Sequence, residues 1–423
     1  MHRWRNGNLK NRVVITGMGA VTPIGNNVSQ MWNSVKEGTC GIGPIKRLST
    51  QNRKVKLAAE VKDFHPEEVI DPRDLRKMDL YTQYAMVAAA EAMADSGINL
   101  QEFGLEQFGV IVASGIGGLG TIEKDFQVGL EKGFDRISPY FIPMAISNIA
   151  AGRIAIQYGL KGSCSCVVTA CASGANAIGD AFRMIKDGYA KTMLCGGAEA
   201  SITELGLGGF TSLKALSQNP DLNRASIPFD KERSGFVLGE GAGILILEEL
   251  GQAQQRGAKI YGEILGYGSN CDAFHITAPM EEGTQAAKCM ELAMKEANVE
   301  PYAIAYINAH GTSTPMNDRC ETKAVKLAFG EWSQQLAISS TKSMTGHLLG
   351  ASGAVESIIT TLALKEGYQP ATIHYQHPDP DCDLDVIPNQ GRQVTMKYAL
   401  SNSLGFGGHN ASLLFGKYEE ENQ

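Results

Sequence analysis

The sequence has no apolar run approaching the ~18 residues of a membrane span, so no stretch of it reads as a transmembrane segment. It lacks a long basic run, and its formal net charge is -7. Both features exclude the usual nucleic-acid binder, which carries a positive stripe. Aromatic residues make up only 7% and charged residues 20% of the chain, against 43% apolar. That balance is globular rather than disordered. The nine cysteines are an odd number without framework spacing, which fits a reducing compartment, the cytoplasm, better than a disulfide scaffold. Cys164 and Cys166 stand too close and too isolated for a zinc site. No G-x-x-x-x-G-K-[ST] precedes Ser343, so Lys342 is not the lysine of a phosphate loop. Residues 1–11 hold Arg3, Arg5 and Lys10 but no apolar core; they read as a flexible extension, not a secretory signal.

What is present is an alternation of strands and helices over 423 residues. Strands are expected at 12–17, 108–114, 193–197 and 241–248, with helices after Asp71-Pro72, at 147–158 and at 249–256. Residues 206–230, rich in Gly, Ser, Asn and Pro, read as a long loop. A second run of strands is expected at 260–265, 303–308, 336–340, 371–374, 397–402 and 410–415, with helices at 284–297 and 354–365. No linker separates the runs. The pattern is α/β, with βαβ units in two similar halves fused over one core: 12–258 carries the candidate nucleophile and 259–423 two histidines.

That nucleophile is Cys171. Residues 165–168 are apolar and β-branched and read as a buried strand. Beyond Ala170-Cys171-Ala172-Ser173-Gly174 a helix runs through Ala181, Phe182, Met184 and Ile185. Cys171 falls at the joint, beside free helix N–H groups and the positive end of the helix dipole. Such a place lowers a thiol's pKa and favours the thiolate. An inert buried cysteine would show the same local sequence. Two downstream motifs decide against it: Asn308-Ala309-His310-Gly311-Thr312-Ser313-Thr314 and Lys342-Ser343-Met344-Thr345-Gly346-His347-Leu348-Leu349-Gly350. Each histidine lies just past an expected strand, at the C-terminal end where α/β active sites sit. Their spacing does not suit a compact metal site. Gly115-Ile116-Gly117-Gly118-Leu119-Gly120 matches G-x-G-x-x-G, but that pattern also needs a helix, a second strand and an acidic residue about 20 positions on, and the residues around that position, Arg136, Ser138, Pro139 and Tyr140, are loop-like. It reads as a packed glycine turn lining a cleft. Arg73, Arg76 and Lys77 are either a solvated face or a docking patch for an acidic partner.

Taken together, the Cys171 stretch, the two histidine motifs and Gly405-Phe406-Gly407-Gly408 resemble the β-ketoacyl-[acyl-carrier-protein] synthases, from about Arg12 to the end of the chain. The length and the Gly115 turn look most like the elongating type of bacterial type II fatty acid synthesis. The resemblance implies a thiolase-like fold in layered α/β/α/β/α packing and a homodimer. It implies no permanently bound cofactor and no metal; a phosphopantetheine arm arrives on acyl carrier protein. It assigns Cys171 as the acylated nucleophile, His310 and His347 as donors to the enolate oxygen, and Lys342 with Glu356 as their support. The backbone of Cys171 and Phe406 would form an oxyanion hole, with Phe406 also a gate. Thr312 and Thr314 would hold the arm, Ile116, Phe210, Leu349 and, from a partner subunit, Phe141 the acyl chain, and Arg73, Arg76 and Lys77 the carrier protein. His409 stands where a threonine is common.

The reaction so implied is a decarboxylative Claisen condensation of the cysteine-held acyl group with malonyl-carrier protein, an acyl transfer giving a 3-oxoacyl product. A polyketide ketosynthase uses the same residues and is the alternative. A nicotinamide oxidoreductase rests on the glycine turn alone. A thiolase needs a second cysteine near Gly405 to His409, which is absent; a synthase for the shortest starters would have asparagine for one histidine; a noncatalytic chain-length partner would lack the cysteine.

Overall fold

A computed structural model describes residues 10–419; all but the last two residues of the extension expected over 1–11 lie outside the described residues. A ten-stranded mixed sheet organises the chain. From edge to edge its strands are Ala337–Ser339, Ile304–Asn308, Tyr398–Gly405, His409–Gly416, Gly262–Cys271, Val13–Val21, Gly241–Glu249, Thr192–Glu199, Phe108–Ala113 and Cys164–Ser165. Each half supplies five, and in both the order from outer edge to centre is third, second, fourth, fifth, first along the chain. The two first strands meet antiparallel at the centre, Val13 opposite Ile264 and Ile15 opposite Gly262. The topology is therefore a repeat, with one continuous hydrogen-bonded ladder linking its copies.

Helices Ser173–Lys186 and Ser352–Glu366 lie between the two halves of the sheet, touching strands of both. Thirteen consecutive residues of the second, 352–364, are buried, so its sequence is apolar or small nearly all round. Leu80–Ser96 and Ile149–Tyr158 cover the outer face of the first half, Thr284–Ala297 and Pro315–Phe329 that of the second. These are the expected five layers.

Close packing explains where the strand expectations fail. The first strand does not stop at Gly17 but continues to Val21. A Cβ on Gly19 would lie 1.9 Å from the Ala88 carbonyl oxygen, so the glycines there seat a helix rather than make a turn. Gly268 does the same in the other half, 1.9 Å from the Cys289 carbonyl. Residues 165–168 are not a buried strand: pairing ends at Ser165 on the sheet edge, and Val168 is 55% exposed. The 206–230 loop begins inside a helix, Glu204–Ser212, capped by the Thr203 hydroxyl accepting from the Gly206 N–H. Residues 371–374 form no strand; Tyr368–Gln369 pairs with Arg392–Gln393 instead.

Candidate active site

Cys171 lies in a single 3-10 turn, Ala170–Ala172, that runs into helix Ser173–Lys186. Ala170 has φ +51°, a left-handed conformation that L residues avoid. Local hydrogen bonds hold it: the Ser173 hydroxyl donates to the Ala170 carbonyl at 2.6 Å and accepts from the Thr169 N–H at 2.9 Å. The strained turn aims the thiol away from the helix and into a cleft. The backbone N–H groups of Phe406 and Cys171 face the sulfur. Gly405 makes that approach possible, since a Cβ there would meet the Thr169 carbonyl at 2.6 Å.

The thiolate expectation is corrected here. Burial pushes the Cys171 thiol up to about 12; Lys342 and the two N–H groups oppose the rise, and Glu199 adds to it. Desolvation outweighs the helix end because Cys171 is buried in an apolar cluster with Ile202, Phe236 and Leu349. The resting nucleophile is therefore a thiol.

His310 follows strand Ile304–Asn308, and His347 follows the one-turn helix Lys342–Thr345. Their rings are 5.2 Å apart and nearly perpendicular, at 84°. Burial pushes both imidazoles well below their ordinary range, and Lys342 adds to this, so both are neutral. The Leu349 N–H donates to His347 Nδ1 at 3.3 Å. An N–H can only donate, so Nδ1 is the acceptor and the ring proton sits on Nε2. The His310 and Gly311 N–H groups each donate to the Glu321 carboxylate at 2.8 Å. Lys342 and Glu356 form a fully buried ion pair; burial drives the Glu356 carboxyl up to about 7 while Lys342 pulls it down.

Cys171, His310, His347, Phe210, Phe406, Thr312 and Thr314 line one cleft of about 380 Å³. The Thr312 and Thr314 hydroxyls are 2.9 Å apart on its wall. Phe406 sits 6.5 Å from the ring of Phe210, on a turn where Gly407 and Gly408 have φ +86° and +77°. Leu349 packs in the apolar cluster that holds Cys171 and Phe236. Ile116 does not line the cleft but is 36% exposed on the glycine turn; Phe141, expected to reach the cleft of a partner subunit, opens the short helix Phe141–Ala145. Arg73, Arg76 and Lys77 also lie outside the cleft. Arg73 is paired with Asp71 and Lys77 with Asp74, leaving Arg76 as the exposed cation of the three without an ion pair among the described residues.

The Gly115 turn holds no nucleotide phosphate site. The N–H groups of Gly115 and Ile116 are spent on the Glu199 carboxylate, at 2.7 and 3.3 Å. Sequence reasoning missed Glu199, Glu321 and Ser352, whose hydroxyl is 2.9 Å from His347 Nδ1. Glu199 and Glu321 bind backbone amides rather than side chains, and no local pattern marks any of the three.

Comparison with known proteins adds to this geometry. Residues 10–253 match the description "Beta-ketoacyl synthase, N-terminal domain" and 261–376 "Beta-ketoacyl synthase, C-terminal domain". The chain is 50% identical over 411 residues to the 3-oxoacyl-[acyl-carrier-protein] synthase 2 of Synechocystis, covering 97% of this chain and 99% of that one. It is 50% identical over 408 residues to the protein of the same name from Staphylococcus aureus strain COL, covering 96% and 99%. Among solved structures, a β-ketoacyl synthase from Burkholderia phymatum superposes with TM-score 0.90 at 34% identity, over 97% of this chain and 100% of that one. A type II PKS ketosynthase, solved with its acyl-carrier protein and bound to a hexaketide, gives 0.90 at 37%, over 97% and 100%.

Proposed function

The chain belongs to the β-ketoacyl synthase family, and from that premise we propose how its residues carry out the elongating condensation. It is an acyltransferase that joins an acyl group to malonyl-[acyl-carrier protein], giving a 3-oxoacyl product. The near full-length matches at 50% identity are to proteins named 3-oxoacyl-[acyl-carrier-protein] synthase 2, whereas the PKS ketosynthase matches at 37%; this ordering favours the fatty acid reaction.

In the first step the Cys171 sulfur attacks the thioester carbonyl of an acyl chain on the carrier's phosphopantetheine arm. A carbon–sulfur bond forms to Cys171 and the one to the arm breaks; the proton leaving Cys171 ends on the arm's thiol. The N–H groups of Cys171 and Phe406 stabilise the tetrahedral oxygen. Phe406 moves aside on its glycine turn to admit the chain. In the second step malonyl-carrier protein enters and its terminal carbon–carbon bond breaks, releasing CO2. The electron pair becomes an enolate whose oxygen takes hydrogen bonds from His347 Nε2–H and His310. The enolate carbon attacks the acyl carbonyl, and the Cys171 sulfur leaves as a thiolate and takes a proton from solvent to return to the resting thiol. Neutral imidazoles suit this role because each offers an N–H without releasing a proton. Lys342 adds positive potential, with Glu356 as its counter-ion. Thr312 and Thr314 hold the arm, Phe210 and Leu349 the acyl chain, and Arg76 with Arg73 and Lys77 contacts the acidic carrier. The enzyme works in the cytoplasm, where nine free cysteines stay reduced, and acts as a homodimer.

The observation that carries this reading is the meeting of Cys171, His310 and His347 in one cleft beside the Phe406 turn. Intact-protein mass after mixing with a medium-chain acyl-carrier protein tests it. One acyl adduct is expected on the wild type and none on Cys171→Ala, and malonyl-carrier protein then discharges the adduct with release of CO2. An adduct that persists on Cys171→Ala would overturn the assignment of the nucleophile.

A further inference from the structure

One buried carboxylate takes no part in the chemistry above. Glu199 ends strand Thr192–Glu199 and is completely buried, with no cation paired to it among the described residues. Five donors fill it instead. Oε2 accepts from the Gly115 N–H at 2.7 Å and the Gly350 N–H at 3.1 Å. Oε1 accepts from the Ser114 hydroxyl at 3.1 Å, the Ile116 N–H at 3.3 Å and the Ser201 hydroxyl at 3.3 Å. One side chain thus ties the glycine turn of the first half to the Leu349-Gly350 turn of the second.

The second of these turns is strained. Leu349 has φ +48°, which a residue with a branched side chain keeps only when its surroundings enforce it. Gly350 is pressed so closely onto the glycine turn that a Cβ would lie 2.3 Å from the Gly115 nitrogen. The same Leu349 supplies the N–H that holds His347 Nδ1. The orientation of the His347 ring is therefore shared between the Ser352 hydroxyl, 2.9 Å from Nδ1, and the turn that Glu199 grips. Burial raises the pKa of Glu199 against the pull of its amide donors, and in its ionised form it works against a thiolate at Cys171, so its benefit falls on the other half-reaction.

We propose that Glu199 is a positioning residue for decarboxylation. By gripping the amides of Gly115 and Gly350 it keeps the Leu349 turn in its strained conformation and holds the His347 Nε2–H on the enolate oxygen. This rests on the condensing reaction described above.

The test separates the two half-reactions in Glu199→Ala and Glu199→Gln. Misplacing a donor by about 1 Å can cost on the order of 100-fold in rate. Glu199→Ala is expected to lower kcat for malonyl-carrier decarboxylation at least ~10-fold with KM unchanged, while acylation of Cys171 stays level or quickens. Glu199→Gln is expected to decarboxylate at least ~3-fold faster than Glu199→Ala: its amide oxygen can stay on Gly115 and Gly350 while its NH2 donates to the serine hydroxyls, with only the Ile116 N–H left without its acceptor. If the alanine variant does not fold, Glu199→Asp draws the carboxylate back by one methylene, and the same split between half-reactions is expected. Wild-type decarboxylation in a folded Ala or Asp variant overturns the proposal. So does an equal fall in both half-reactions alongside the melting temperature, or a Gln variant no better than Ala. A wild-type protein that performs neither half-reaction would instead overturn the condensing reading itself.

Discussion

At the scale of single residues, desolvation governs the site. His347 is held neutral by burial, so its folded-state pKa lies below its unfolded value of ~6.5. Below that pH the unfolded chain binds the extra proton and the native chain does not, so this histidine's contribution to stability is present above ~6.5 and falls as the medium is acidified. Glu356, raised to about 7, acts in the opposite sense, so only a difference between variants isolates the histidine. In urea unfolding, the stability gap between pH 7.5 and 5.5 is expected to narrow in His347→Gln; an unchanged gap would mean that the ring is already solvated. His347→Ala, which has no N–H to replace Nε2, is expected to decarboxylate about 100-fold more slowly. The buried pair gives a second residue-scale prediction. Lys342→Met strands Glu356 without its counter-charge and is expected to destabilise by about 3–5 kcal/mol, whereas Lys342→Met with Glu356→Leu recovers most of that loss. A double-mutant cycle in thermal unfolding measures the coupling.

Cys171, His310, His347, Lys342 and Phe406 were legible in the sequence because each sits in a short motif of small residues after a strand. The protonation of Cys171 was not. A helix end is local and can be read from sequence, but the burial that outweighs it comes from chain hundreds of residues away. Glu199 and Glu321 were hidden for a related reason: they bind backbone amides, which carry no side-chain signature.

At the scale of elements, the gate turn joins strands Tyr398–Gly405 and His409–Gly416. Gly407 and Gly408 both occupy left-handed backbone, and a Cβ on Gly408 would lie 2.9 Å from the Cβ of Asp272. Gly408→Ala is therefore expected to stiffen the turn and slow acylation of Cys171 about 10-fold, the equivalent of ~1.4 kcal/mol of barrier. The time course of adduct mass reads this directly; an unchanged rate would show that Phe406 need not move. Helix Thr284–Ala297 matches its sequence expectation residue for residue, because its apolar face repeats cleanly. The first strand was misjudged at Gly17, where glycine permits close helix packing rather than a turn. Residues 165–168 were misjudged because β-branched apolar residues mark a strand without saying whether anything covers it.

At the scale of the whole molecule, those residues point outward from the chain. The sheet ends at Cys164–Ser165, leaving a strand edge unpaired among the described residues, and natural proteins rarely leave such an edge open. Val168 beside it is exposed, as are Phe126, Leu130 and Phe134 on and just after helix Leu119–Lys132, and Ile142 on the neighbouring helix Phe141–Ala145. An exposed apolar surface of this kind marks an interface. Lys77 lies 5.7 Å over the ring of Tyr140, so the basic patch adjoins the same region. A second copy of the chain, meeting this one edge to edge, would account for the open edge, the bare apolar side chains and the place of Phe141. The wild type is accordingly expected to sediment at twice the 45.3 kDa chain mass at micromolar concentration. Val168→Asp combined with Ile142→Asp sets unpaired carboxylates into that contact, and a buried unpaired charge costs several kcal/mol. Two such charges per subunit are expected to shift the protein to monomer without abolishing folding, since both positions are exposed in the single chain. A double variant that still sediments as a dimer would place the contact elsewhere on the molecule.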